Sequence, residues 1–137
     1  MRVVLDTNAV LASISLNSPY RIIRDSVQSG VIEICLTTEI LLEYEEKLTE
    51  IFNKNVADNY FKALKHAPKI CHIEPSFRWQ LIRTDPDDNK FVDCAVAANA
   101  HFLVTNDRHY NILKDIMFPK LNVIRIEAFA DLLKNLP

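Results

Sequence analysis

The sequence predicts an α/β fold, a parallel sheet covered by helices on both faces. Short apolar runs alternate with amphipathic helical segments along the chain, and strands separated by helices are joined by right-handed crossovers that set them parallel. Hydrophobic residues make up 49% of the 137 residues. That is enough for a real core and suits one domain spanning 1–137. Glycine occurs once, so neither a GxGxxG turn nor a Walker loop is present to cradle phosphates.

RVVL (2–5) is an apolar run ended by Asp6 and suits a buried strand. TNAVLASIS turns from it into a short helix. Ser18-Pro19 reads as the N-cap and first residue of a second helix carrying Ile22, Ile23 and Val27, which Gly30 ends as a C-cap. VIEICLT (31–37) is the second strand. Thr38 reads as the cap of a third helix whose buried face carries Ile40, Leu41, Tyr44, Leu48 and Ile51. A further helix over 54–66 is stopped by Pro68. KICHI (69–73) is a short strand or extended piece. DDNKFVDCAVAANA (87–100) is a helix with an acidic start, HFLVT (101–105) a strand, DRHYNILKDI a short helix, LNVIRI (121–126) the last strand and EAFADLLKNL the last helix.

Net charge is −2, from 16 basic and 18 acidic residues. Nucleic-acid binding would therefore come from a local patch rather than a global field. Cys35, Cys71 and Cys94 are odd in number and lack CxxC spacing, so they read as free thiols of a reducing compartment. No signal peptide and no run of about 18 apolar residues is seen, and a cytoplasmic protein is expected.

The acids carry the functional signal. In open parallel sheets, ligands bind outside the carboxyl ends of the strands. Asp6 follows the first strand, and Asp107 follows FLVT by two residues. In TDPDDNKF, Asp87 and Asp88 begin a helix, where in isolation they read as complements of its dipole. On the third helix, Glu43 and Glu45 flank the buried face and Glu46 points to solvent; helical spacing does not choose between Glu43 and Glu45. Alone, Glu43 reads as a surface pair with Lys47. Asp115 reads as a solvated helix residue. Carboxylates converging on one pocket suit Mg²⁺ or Mn²⁺, hard ions that take oxygen ligands and serve phosphodiester hydrolysis. His66, His72, His101 and His109 lack ligand spacing and read as surface or filler.

The ordered set VVLDTNAVLAS, TTEILLEYEEKL and DPDDNKFVDCAVAANAHFLVTNDRHY resembles the PIN-domain ribonucleases, most closely the toxin components of toxin–antitoxin systems. The resemblance covers nearly the whole chain. It implies a Rossmann-like α/β/α sandwich, Mg²⁺ or Mn²⁺ as cofactor, RNA as substrate, an antitoxin protein as partner and a homodimer. It also implies Asp6, Glu43, Asp88 and Asp107 as catalytic and metal-binding acids, with Asn8, Asp85, Asn89, Thr105 and Asn106 in support. Where many relatives carry glycine, this chain has Asn99 or Ala100, which is expected to affect the turn and not the site.

Arg21, Arg24, Arg83, Lys90 and Arg108 are candidates for RNA phosphate contacts, although exposed basic side chains are common without that role. A non-catalytic nucleic-acid- or protein-binding module of the same fold would need the acid set broken, and all four acids are present. A phosphotransferase of the haloacid dehalogenase type would need an Asp where Asn8 stands.

Overall fold

A computed structural model describes residues 1–82, 86–116 and 119–137. Five strands form one parallel sheet: β1 (Arg2–Leu5), β2 (Glu33–Leu36), β3 (Ile70–His72), β4 (Phe102–Val104) and β5 (Val123–Ile124), in the order β3-β2-β1-β4-β5. Six α-helices flank it: α1 (Thr7–Ala12), α2 (Arg21–Ser29), α3 (Thr38–Ile51), α4 (Lys54–Lys65), α5 (Asn89–Ala97) and α6 (Ile126–Lys134). Two 3₁₀ segments, Pro86–Asp88 and Arg108–Asp115, lead into α5 and follow β4. The expected α/β sandwich with a parallel sheet is the observed fold.

The central strand is apolar because both its faces are covered. Val3 and Val4 are fully buried and Leu5 almost so. Val3 pairs with Ile34 on one side and Phe102 on the other. The chain moves outward from β1 to β2 and β3, then returns to place β4 on the opposite side of β1. This reversal opens a crevice at the carboxyl ends of β1 and β4, where an open parallel sheet has room for a ligand.

Several boundaries differ from those expected. The second helix starts at Arg21 with Tyr20 as N-cap. Ser18 instead donates its hydroxyl to the Ala12 carbonyl and accepts from the Tyr20 N–H, which makes Ser18–Tyr20 a turn. Thr37, not Thr38, caps α3, its hydroxyl accepting from Ile40 N–H at 3.1 Å. Thr38 is engaged by Glu74. Ile51, expected on the buried face of α3, is exposed and lines the open cavity at the crevice. The last strand shrinks to two residues, its sheet edge offering pairing only with β4. Gly30 caps α2 at φ 85°, as its sequence position suggested. Asn99 follows α5 at φ 51°, a left-handed conformation that asparagine tolerates where glycine would be the commoner choice.

Candidate functional site

An open cavity of about 310 Å³ lies at the crevice and is lined by Asp6, Thr7, Asn8, Leu11, Glu43, Lys47, Ile51, Asp88 and Asp107. Four elements each bring one acid to it: the end of β1, the middle of α3, the 3₁₀ turn before α5 and the loop after β4.

Asp6 is the most enclosed, with 5% of its surface exposed. Its backbone stays in the sheet, donating to Val104 at 3.0 Å, while its carbonyl starts α1. The carboxylate makes no capping bond to that helix. It accepts instead from the buried Thr105 hydroxyl at 2.7 Å. Burial pushes its pKa from 3.8 up to about 6, opposed by the Thr105 hydrogen bond and helped by the charges of Asp88 and Glu43. Thr105 also accepts from Asp107 N–H at 3.0 Å, so one hydroxyl sets both the first acid and the loop that carries the last.

The structure separates the two glutamates that helical spacing left equivalent. Glu43 is half-buried and faces the cavity, whereas Glu45 and Glu46 are exposed. Thr7 donates its hydroxyl to Glu43, and the buried Lys90 ammonium sits 2.8 Å from the other carboxylate oxygen. Lys90 also donates to the Asp87 carbonyl at 2.8 Å, which ties α3 to the turn bearing Asp88. Lys47, the partner expected for Glu43, pairs with Glu50 instead. The Tyr44 hydroxyl next along α3 donates to the Leu5 carbonyl, anchoring the helix over β1 one residue before Asp6.

Asp88 and Asp107 meet through His109. Its Nδ1 lies 3.3 Å from Asp88 Oδ2 and 3.2 Å from Asp107 Oδ1. Asp107 caps the 3₁₀ segment after β4 by accepting from His109 N–H at 2.9 Å. The Tyr110 hydroxyl reaches the Asp88 carbonyl at 3.3 Å. His109 is exposed, as expected of a surface residue, but it also stands within the acid cluster, which its lack of ligand spacing did not suggest. The available signal was its place two residues after Asp107 in a capped turn. Thr7, adjacent to Asp6, likewise stood in the sequence only as the start of a short helix.

The supporting residues divide by what they touch. Asn8 lines the cavity. Asn89 exchanges two 2.8 Å hydrogen bonds with the Ile82 backbone and so holds the approach to the Asp88 turn. Asp93, one turn further along α5, accepts from Trp79 N–H at 3.0 Å and does the same for the preceding stretch. Asn106 accepts from Ile126 N–H at 2.8 Å and donates to Glu127, joining the β4 loop to α6. Asp85 and Arg83 lie outside the described residues. Arg21 bonds the Ile14 carbonyl and pairs with Asp25, Arg24 lies over the Tyr60 ring, and Arg108 is exposed beside Asp107. Asp115 is exposed.

The cavity collects four carboxylates; Lys90 pairs with Glu43, Lys47 stands on the cavity wall, and His109 sits between Asp88 and Asp107. Among the described residues no cation pairs with Asp6. This oxygen-rich donor set fits a divalent cation. Asp88, Asp107 and His109 offer three ligand atoms within 4.8 Å of one another.

The PIN domain family model matches residues 2–109, which include all four acids and His109. Among solved structures, the chain is similar to one in the crystal structure of VapBC2 from Rickettsia felis bound to a DNA fragment from their promoter. The TM-score is 0.62 at 20% identity, over 91% of this chain and 98% of that one. None of the curated proteins compared with the chain matches it.

Proposed function

Because the chain belongs to the PIN-domain family, we propose that it is a metal-dependent endoribonuclease and the toxin of a toxin–antitoxin pair. The observation that carries this reading is the convergence of Asp6, Glu43, Asp88 and Asp107 on one open cavity at the β1–β4 crevice. A phosphodiester is an anion, and such a cavity repels it until cations neutralise the carboxylates. Asp6, Glu43, Asp88 and Asp107 would hold Mg²⁺ or Mn²⁺, which supplies charge to offset the phosphate and favours attack by water on phosphorus.

The chain's own residues fix that arrangement. Thr105 orients Asp6, Lys90 and Thr7 orient Glu43, and the capped turn at Asp107 aims its carboxylate back at Asp88. Holding acids on four separate elements pre-organises the site, so little reorganisation is needed when substrate binds. Arg108, beside Asp107, together with Arg21, Arg24, Arg83 and Lys90 would supply the contacts to the RNA phosphates, and Asn8 at the cavity wall would support the acids. Lys90 acts there through its charge next to Glu43.

The antitoxin partner is supported by the similarity to a chain of the VapBC2 assembly. A cytoplasmic location fits that role, and among the described residues no helix is long and apolar enough to cross a membrane. A homodimer is part of the proposal, on the general prevalence of two-fold oligomers.

The test is cleavage of a mixed single-stranded RNA pool by the purified chain. Cleavage is expected with Mg²⁺ or Mn²⁺, to stop with EDTA and to be lost in Asp88→Asn. Cleavage that persists in excess chelator and fades on further purification would belong to a contaminant and refute the reading.

A further inference from the structure

We propose that His109 is a direct ligand of the cation, together with Asp88 and Asp107, and that its nitrogen biases the site toward a first-row transition ion such as Mn²⁺ over Mg²⁺. This deepens the metal-dependent reading and rests on it. The geometry comes first. For ion–ligand bonds of about 2.1 Å, neighbouring ligand atoms stand about 3.0 Å apart in an octahedron and about 3.4 Å apart in a tetrahedron. His109 Nδ1 lies 3.3 Å from Asp88 Oδ2 and 3.2 Å from Asp107 Oδ1, within that interval. An ion can be accepted on this face once the Asp88 and Asp107 oxygens, which lie within 4.8 Å of each other, close on it beside the imidazole.

The backbone supports the same placement. Asp107 accepts from His109 N–H at 2.9 Å, so the acid and the imidazole are two ends of one turn. The next residue, Tyr110, is fully buried and holds the Asp88 carbonyl. Residues 107–110 therefore position two of the donors and locate the third.

The choice of ion follows from the donor. Mg²⁺ favours hard oxygen ligands and retains its waters, whereas imidazole suits transition ions. The other side of the cavity, with Asp6, Glu43, Thr7 and Asn8, offers oxygen donors and, among the described lining residues, no imidazole. A site of oxygen donors alone would discriminate less between the two ions.

The experiment is Mn²⁺ and Mg²⁺ titration of the whole chain without RNA, with pulsed electron paramagnetic resonance of the Mn²⁺ form. Nitrogen hyperfine coupling is expected in the parent, altered when its histidines carry nitrogen-15. His109→Gln should lose the coupling and about 10-fold or more in Mn²⁺ affinity, while Mg²⁺ affinity changes less than about 2-fold. Bound Mn²⁺ without nitrogen coupling in the parent would overturn the proposal and leave His109 as an ion-pair partner of the two acids. Equal losses for both ions in His109→Gln would overturn the selectivity. Because the coupling is read in the parent, misfolding of the variant cannot shield the proposal. Failure of the parent to bind either ion would instead sink the metal-dependent reading beneath it.

Discussion

Replacing Asp6 by Asn should stabilise the metal-free protein while abolishing cleavage. The substitution removes one charge from a buried cluster and keeps the shape, including an oxygen that can accept from the Thr105 hydroxyl. The folded state holds the Asp6 proton more tightly than the unfolded chain does, its pKa moving from 3.8 to about 6, chiefly through burial. A raised acid pKa means that the ionised form destabilises the fold. The parent therefore loses stability as pH climbs through the interval between the two values, and the loss is complete above about pH 7. A shift of roughly 2 units corresponds to about 3 kcal/mol. For a chain of this size that is a rise in Tm of about 10 °C for the Asn variant in EDTA at pH 7.5. Near pH 4 most of the difference should vanish, since the parent's Asp6 is then protonated in the fold. Millimolar Mn²⁺ should narrow or reverse the order, because the parent gains more binding free energy from the ion. The assay is thermal melting of both proteins across pH 4–8, with EDTA and with Mn²⁺. An Asn variant that melts well below the parent in EDTA, or a difference that ignores pH, would refute the argument and make Asp6 a structural cap of the first turn.

Two further outcomes follow from local geometry. Glu43→Gln should lower RNA cleavage by orders of magnitude, whereas Glu45→Gln and Glu46→Gln should leave it nearly unchanged; equal loss at Glu43 and Glu45 in a cleavage assay would mean that the wrong flank of α3 has been assigned to chemistry. Gly30→Ala should cost about 1–2 kcal/mol in denaturant unfolding, since φ 85° is left-handed and the added Cβ would stand 3.4 Å from Pro68; an unchanged midpoint would show that α2 can end differently.

Much of the fold was legible because its signals are local. An apolar run such as RVVL is readable as a buried strand from four residues, and Gly30 announces a helix end by itself. Boundaries failed where neighbours in space competed for the same groups. Thr37 and Thr38 are equally good caps in sequence, but Glu74 engages Thr38 and leaves the cap to Thr37. Asp6 and Asp107 were placed at a sheet edge by their position after apolar runs, an argument from order along the chain that needs no tertiary information.

What the sequence by itself determined is the alternation that forces a parallel sheet, and the presence of acids at the carboxyl ends of two of its strands. Tertiary structure decided the rest, because charge interactions act through space and ignore separation along the chain. Glu43 differs from Glu45 only because Thr7 and Lys90, from two other elements, meet one flank of α3 and not the other. His109 joins the cluster only because the reversal of the chain after β3 brings the 3₁₀ turn carrying Asp88 up to the loop after β4. No period in the sequence encodes the distance between those two loops, and it is that distance that makes three side chains a candidate for holding an ion.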